Sequence, residues 1–234
     1  MDQALEHRIA ADLLPIESAL GELRRINRGE FHFSAAVGNP SERLDPAEEA
    51  IATGMAMSRR ESFHAGRTAL RRALQDAGHP TLAVTTDQDG VPRLPYGYIG
   101  SVAHKHGRAV AVACRSTVTT GVGIDLEFDD CSDEADLLAS VATVSEVNAL
   151  GHLDAASLAL ASPATLVLSA KEALYKAVFP VLRTRFDFED VELSFDGETR
   201  SFRGLRFPGV EHLTIAGHYA VVARWIVCMA TASR

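Results

Sequence analysis

Two short segments constrain this chain more than any other part of it. Gly123-Ile124-Asp125-Leu126-Glu127 lies in a run of strand-forming residues from Val118 to Phe128. Alternate residues of a strand share a face, so Asp125 and Glu127 point the same way. Further on, Ser169-Ala170-Lys171-Glu172-Ala173-Leu174-Tyr175-Lys176 has helical character, which sets Glu172 and Lys176 one turn apart. A fold that brings Glu172 up to the strand carboxylates makes an all-oxygen site for a hard divalent cation such as Mg²⁺. Lysines beside it can hold phosphate. The combination suits chemistry on a phosphate ester or anhydride.

The surrounding sequence narrows the setting. With 234 residues, 47% of them hydrophobic and 23% charged, the chain can build a substantial core in one large domain or two small ones. No apolar run approaches the ~20 residues a membrane span requires. The first residues, Met1 to His7, lack the basic region and apolar stretch of a secretory signal. Cys114, Cys131 and Cys228 are odd in number and without metal-type spacing, which fits reduced thiols and a cytoplasmic setting. A net charge of −8 argues against nonspecific nucleic-acid binding. Gly121-Val122-Gly123 is no dinucleotide fingerprint, because it lacks a third glycine and a following helix.

Element order reads helices, strands, helices, strands, an α+β pattern of two lobes joined near residues 117–121. One or two helices are expected over 2–28, interrupted at Pro15, then a strand from Phe31 to Val37 and a turn-rich stretch from Gly38 to Arg43. Asp45-Pro46 opens a helix running to about Met57, followed by another over 58–77. Asp87 to Gly97 reads as a loop. Strands are expected over 98–103 and 109–114, with Lys105-His106-Gly107 as the turn between them. After the carboxylate strand come an acidic loop from Asp129 to Asp133 and helices near 133–150 and 157–161. A longer helix over 163–179 is expected to stop at Pro180. The rest reads as an antiparallel meander over 188–195, 200–207, 213–217 and 219–229.

The two opening segments match the G-I-D-x-E strand and S-x-K-E-(A/S)-x-x-K helix of the 4′-phosphopantetheinyl transferases. Upstream, Arg59-Arg60-Glu61-Ser62-Phe63-His64-Ala65-Gly66-Arg67, Gly100-Ser101-Val102-Ala103-His104 and Leu44-Asp45-Pro46-Ala47-Glu48-Glu49 resemble further motifs of that family, in its order. The resemblance spans about residues 44–180 and is to the monomeric surfactin/enterobactin type, with the enterobactin-like branch fitting better. It departs at 89–97, where Leu94 stands for the usual tryptophan and Arg93 is the candidate for a displaced basic contact. Lys105 replaces a common cysteine.

The resemblance implies transfer of 4′-phosphopantetheine from coenzyme A to a serine of an apo acyl or peptidyl carrier protein, releasing 3′,5′-ADP. It implies two similar α/β lobes about a pseudo-two-fold axis, with the active site in the inter-lobe cleft. Residues 1–118 would contact the adenine and 3′-phosphate end of coenzyme A, and 119–234 would carry the metal-binding strand and the Lys-Glu helix. Asp125, Glu127 and Glu172 would bind Mg²⁺ (or Mn²⁺), with Glu172, Lys176 and Asp125 as the catalytic group. Coenzyme A would be held by Arg59, Arg67, His104, Ser101 and Arg93, and by Lys171 and Lys176 at its phosphates. Carrier proteins of this family are acidic, so Arg59, Arg60, Arg67, Arg71, Arg72, Arg183 and Arg185 are candidate docking charges. A monomer acting without nucleic acid or membrane is expected. The alternatives are a non-catalytic carrier-docking module and a metal-dependent phosphohydrolase, which would not need Arg59, Arg67 or His104.

Overall fold

The computed structural model describes residues 3–39, 43–81, 83–130, 134–151, 161–207, 209 and 212–234. It is an α+β chain that divides into two compact units, residues 1–118 and 119–234. The turn residues at 40–42, the acidic loop at 131–133 and most of the helix expected near 157–161 fall outside the described residues.

In the first unit, α1 (Gln3–Ile26) keeps Pro15 inside one helix. It buries Ile16, Ala19, Leu20 and Leu23 and packs on β1 (His32–Val37). Asp45 caps α2 (Pro46–Ala52): its carboxylate accepts from Ala47 N at 2.9 Å, and Pro46 takes the first helical position, where no N–H is needed. That helix ends five residues before the expected Met57, because α3 (Met57–Asp76) begins there after a turn at Gly54. Strands β2 (Tyr98–Lys105) and β3 (Arg108–Arg115) are joined by His106-Gly107, both at positive φ as a two-residue hairpin requires. The antiparallel sheet has the order β1-β3-β2. Small residues bring α3 close to it: Ala65, Ala69 and Ala73 recur every fourth residue and pack with Ala109, Ala111 and Ala113, which recur every second.

In the second unit, β4 (Gly121–Phe128) is followed by α4 (Glu134–Val141), α5 (Val144–Leu150) and α6 (Pro163–Leu182). A 3-10 turn at Phe188–Asp190 leads into β5 (Glu192–Asp196), β6 (Ser201–Arg206), β7 (Thr214–Val222) and β8 (Trp225–Ser233). The meander β5 to β8 is antiparallel as expected, and β4 joins it along β8, giving the order β4-β8-β7-β6-β5. The expected strand break near residue 218 is absent. β7 runs on to Val222, and the turn is Ala223-Arg224, at φ 48° and 71°. Pro180 does not end α6 either. Its missing N–H falls in the last turn, which Arg183 N closes by donating to Phe179 O at 2.8 Å.

Candidate functional site

The second unit places the strand carboxylates beneath α6, and the glycines ahead of them determine how closely. Gly121, Gly123, Asp125 and Glu127 share one face of β4. A Cβ on Gly123 would stand 1.8 Å from Ala173 O, and one on Gly121 would stand 2.1 Å from Ala177 O. Only glycine lets the helix backbone lie this close to the strand. Asp129, just past β4, fixes the start of α6: its carboxylate accepts from Ser162 N at 3.0 Å and from Thr165 Oγ1 at 3.3 Å.

Asp125 is 4% exposed, and its Oδ1 receives Lys176 Nζ at 2.5 Å. Its Oδ2 is buried and finds no hydrogen-bond donor among the described residues. Lys176 also faces Glu172 Oε2 at 3.9 Å. Burial pushes the Glu172 carboxyl upward; Lys176 pulls it down, while Asp125 and Glu127 push it up further. The three carboxylates therefore lie within one another's fields, with Lys176 joining two of them. Among the described residues no three histidine, cysteine or acidic side chains are drawn into a ready cation cage. The donors nonetheless fit a hard cation: all are carboxylate oxygens, and one is buried and unserved.

Lys171 is placed otherwise than expected. It is 1% exposed, and Nζ donates to Glu146 Oε2, Phe188 O and Val191 O, each at 2.8 Å. An ammonium has three N–H donors, and all three are used inside the protein. Lys171 therefore serves the fold as a structural cation with its donors spent on protein acceptors, although it also borders the cavity beside Glu172. Its partner Glu146 is the reciprocal residue of the Thr143 capping box and also accepts from Leu193 N at 2.8 Å. One buried ion pair thus joins α5, α6 and the start of β5. Beside Glu172 lies a cavity of about 260 Å³ lined by Tyr175, Arg185, Phe186 and Phe188 among others. Tyr175 stacks on Phe179 at 5.1 Å, and the guanidinium groups of Arg183 and Arg185 lie over the Phe179 ring.

The first unit has a cavity of its own, about 290 Å³, lined by Arg59, Ser62, Phe63, Gly66 and Arg67 of α3, His104 and Val102 of β2, Ile51 and Met55, and Thr86, Gly90 and Pro92. Three of the expected coenzyme A contacts, Arg59, Arg67 and His104, therefore line one pocket. Arg67 is 4% exposed, lies over Phe63 at 4.4 Å, and keeps a buried Nε with no acceptor among the described residues. Burial lowers its proton affinity and the charge of Glu48 raises it. A buried guanidinium whose Nε has no acceptor among the described residues suits an anion. Two expected contacts fall outside the lining. Ser101 is buried and alternates with Val102, so it faces away from His104. Arg93 is exposed; its backbone N donates to Thr85 O beside the Thr86–Pro92 bridge, and its side chain is not part of the wall.

Other arginines are engaged elsewhere. Arg60 pairs with Glu49 at 2.5 Å, Arg72 donates to Ala35 O at 3.3 Å, and Arg71 pairs with Glu48. Glu48 is fully buried and also accepts from Val84 N at 2.9 Å, tying α2 to the segment that supplies Thr86 and Pro92. The sequence reading assigned no individual role to Glu48, within its Leu44–Glu49 segment, or to Glu146. Both were signalled by capping-box spacing, Asp45-x-x-Glu48 and Thr143-x-x-Glu146.

Comparison with known proteins follows the same division. Residues 47–114 match the 4′-phosphopantetheinyl transferase N-terminal domain, and residues 121–228 match the 4′-phosphopantetheinyl transferase superfamily. The chain is 30% identical over 208 residues to 4′-phosphopantetheinyl transferase Svp of Streptomyces mobaraensis, covering 82% of each protein. The chain belongs to the 4′-phosphopantetheinyl transferase superfamily. Within it, 4′-phosphopantetheinyl transferase Npt of Nocardia iowensis is 33% identical over 156 residues, covering 67% of this chain and 68% of the relative. 4′-Phosphopantetheinyl transferase PptT of Mycobacterium tuberculosis is 29% identical over 164 residues, 68% of each. The superfamily match begins at Gly121, so it takes in the glycines, carboxylates and lysine of the α6–β4 contact.

Proposed function

We propose that this transferase moves the 4′-phosphopantetheine arm of coenzyme A onto a serine of an apo acyl or peptidyl carrier protein, releasing 3′,5′-ADP, as a surfactin/enterobactin-type enzyme of the enterobactin-like branch. The observation that carries the reading is Asp125, buried under α6 with Lys176 on one oxygen and the other oxygen unserved among the described residues.

Asp125, Glu127 and Glu172 are the residues that would hold Mg²⁺ or Mn²⁺, which when bound neutralises charge on the pyrophosphate. Arg67, with Arg59 and His104, binds the 3′-phosphate end of coenzyme A in the 290 Å³ pocket. Ile51, Met55 and Pro92 give that pocket an apolar wall beside the cations. Lys176 neutralises the pyrophosphate and the charge that develops on the departing 3′,5′-ADP. Glu172 accepts the proton of the carrier serine; its raised proton affinity favours that step, and a bound cation lowers it. Arg183 and Arg185, beside the cavity next to Glu172, supply positive charge for an acidic carrier although the whole chain carries −8.

The test is intact-mass spectrometry of an apo carrier protein incubated with the chain, coenzyme A and Mg²⁺. The expected result is a gain of one phosphopantetheinyl group that EDTA abolishes. No gain with carriers of fatty-acid, polyketide and nonribosomal-peptide type, together with no coenzyme A binding, would overturn the proposal.

A further inference from the structure

Lys176 and Asp125 meet at the floor of the carboxylate cluster, but they are not equally enclosed. The Asp125 side chain is 6% exposed and the Lys176 side chain 28%. The carboxylate is fixed on a strand face pressed against α6, whereas the more exposed ammonium ends a flexible four-carbon stem. Nζ sits 2.5 Å from Asp125 Oδ1 and 3.9 Å from Glu172 Oε2, so a single positive charge already spans two of the oxygens a divalent cation would use. An ammonium and a divalent cation cannot share that space without strong repulsion.

We propose that Lys176 is the internal counter-cation of this site: it holds Asp125 and Glu172 together in the metal-free chain and yields Asp125 to the incoming divalent cation, passing its ammonium to the substrate's pyrophosphate. The inference rests on reading Asp125 as a cation ligand. The exchange leaves the carboxylates with one more positive charge, which suits a site that carries three carboxylates. One ammonium is exchanged for one divalent cation at the carboxylates, and the freed ammonium meets phosphate oxygens. A divalent cation alone would bind weakly, because even at Oδ2 of Asp125 it would meet the Lys176 ammonium held on Oδ1. Substrate and cation reinforce one another, because the pyrophosphate gives the ammonium a place to go.

The test needs no turnover. Mn²⁺ binding to the full chain without coenzyme A is measured by electron paramagnetic resonance of the free ion, for the wild type, Lys176→Met, Lys176→Gln and Asp125→Asn, with thermal melts confirming that each is folded. Removing the competing ammonium is expected to tighten Mn²⁺ binding by about tenfold or more in both Lys176 variants, while Asp125→Asn weakens it. Unchanged or weaker binding in the Lys176 variants, with Asp125→Asn still impaired, would overturn the exchange and leave Asp125 as a ligand. Binding in Asp125→Asn equal to wild type would remove the ligand assignment and the exchange together.

Discussion

Replacing Lys171 with methionine tests whether this lysine serves the fold or the substrate. The side chain is 1% exposed and its partner Glu146 is fully buried. Methionine fills similar volume but leaves the Glu146 carboxylate without its counter-charge and removes a donor from Phe188 O and Val191 O. Breaking one side of a buried ion pair costs about 3–5 kcal/mol. At about 4 °C per kcal/mol for a unit of this size, its melting temperature should fall by about 12–20 °C. Glu146→Gln keeps an acceptor for Leu193 N while removing the stranded charge. The double variant Lys171→Met with Glu146→Gln should therefore be more stable than Lys171→Met alone. Differential scanning calorimetry gives the stabilities, and coenzyme A titration well below the transition gives the affinity, expected to be unchanged. Wild-type stability combined with weakened coenzyme A binding would refute the argument and restore Lys171 as a phosphate contact.

Three further outcomes are expected. Gly123→Ala puts a methyl group against the Ala173 carbonyl and should cost about 3 kcal/mol and impair transfer, measured by urea denaturation and activity together; wild-type stability would mean the helix can move away cheaply. Arg67→Gln should raise KM for coenzyme A by about 10- to 100-fold, the loss of one charge-assisted contact, but alter 3′-dephospho-coenzyme A far less. Equal effects on the two would dissociate Arg67 from the 3′-phosphate. Burial lowers the His218 pKa below its ordinary 6.5, against backbone hydrogen bonds to Arg200 and Thr199 that raise it. The unfolded chain then takes up a proton first, so His218 costs stability as pH falls from 6.5 through the lowered folded value. His218→Gln should flatten that part of a stability–pH curve measured by chemical denaturation, and an unaltered slope would rule His218 out as its source.

The carboxylate strand, the lysine helix and the arginine pocket were legible because each depends on a local period that sequence displays. Strand alternation aligned Asp125 with Glu127, and helical spacing aligned Arg59 with Arg67. What misled was residues whose usual meaning is overruled by packing. Gly217 looks like a strand break, yet it lies within β7, where a Cβ would fall 2.2 Å from the Phe202 ring and 2.4 Å from Met229 O. The actual turn, Ala223-Arg224, contains neither glycine nor asparagine, so nothing in its composition announces positive φ. Lys171 and Lys176 share a motif and a residue type. Only the tertiary partners, Glu146 for one and Asp125 for the other, separate a structural cation from one at the site.

The glycine face of β4 also has a consequence for how the site tolerates change. Because backbone atoms of α6 rest directly on Gly121 and Gly123, the separation between strand and helix is set by main chain against main chain, with no side chain between to swell or shrink. Exchanging core residues such as Val167, Val178 or Ile226 for smaller ones cannot draw β4 and α6 closer than this backbone contact allows. The dimension on which the carboxylate cluster depends has a hard lower limit, whatever drift occurs in the core around it.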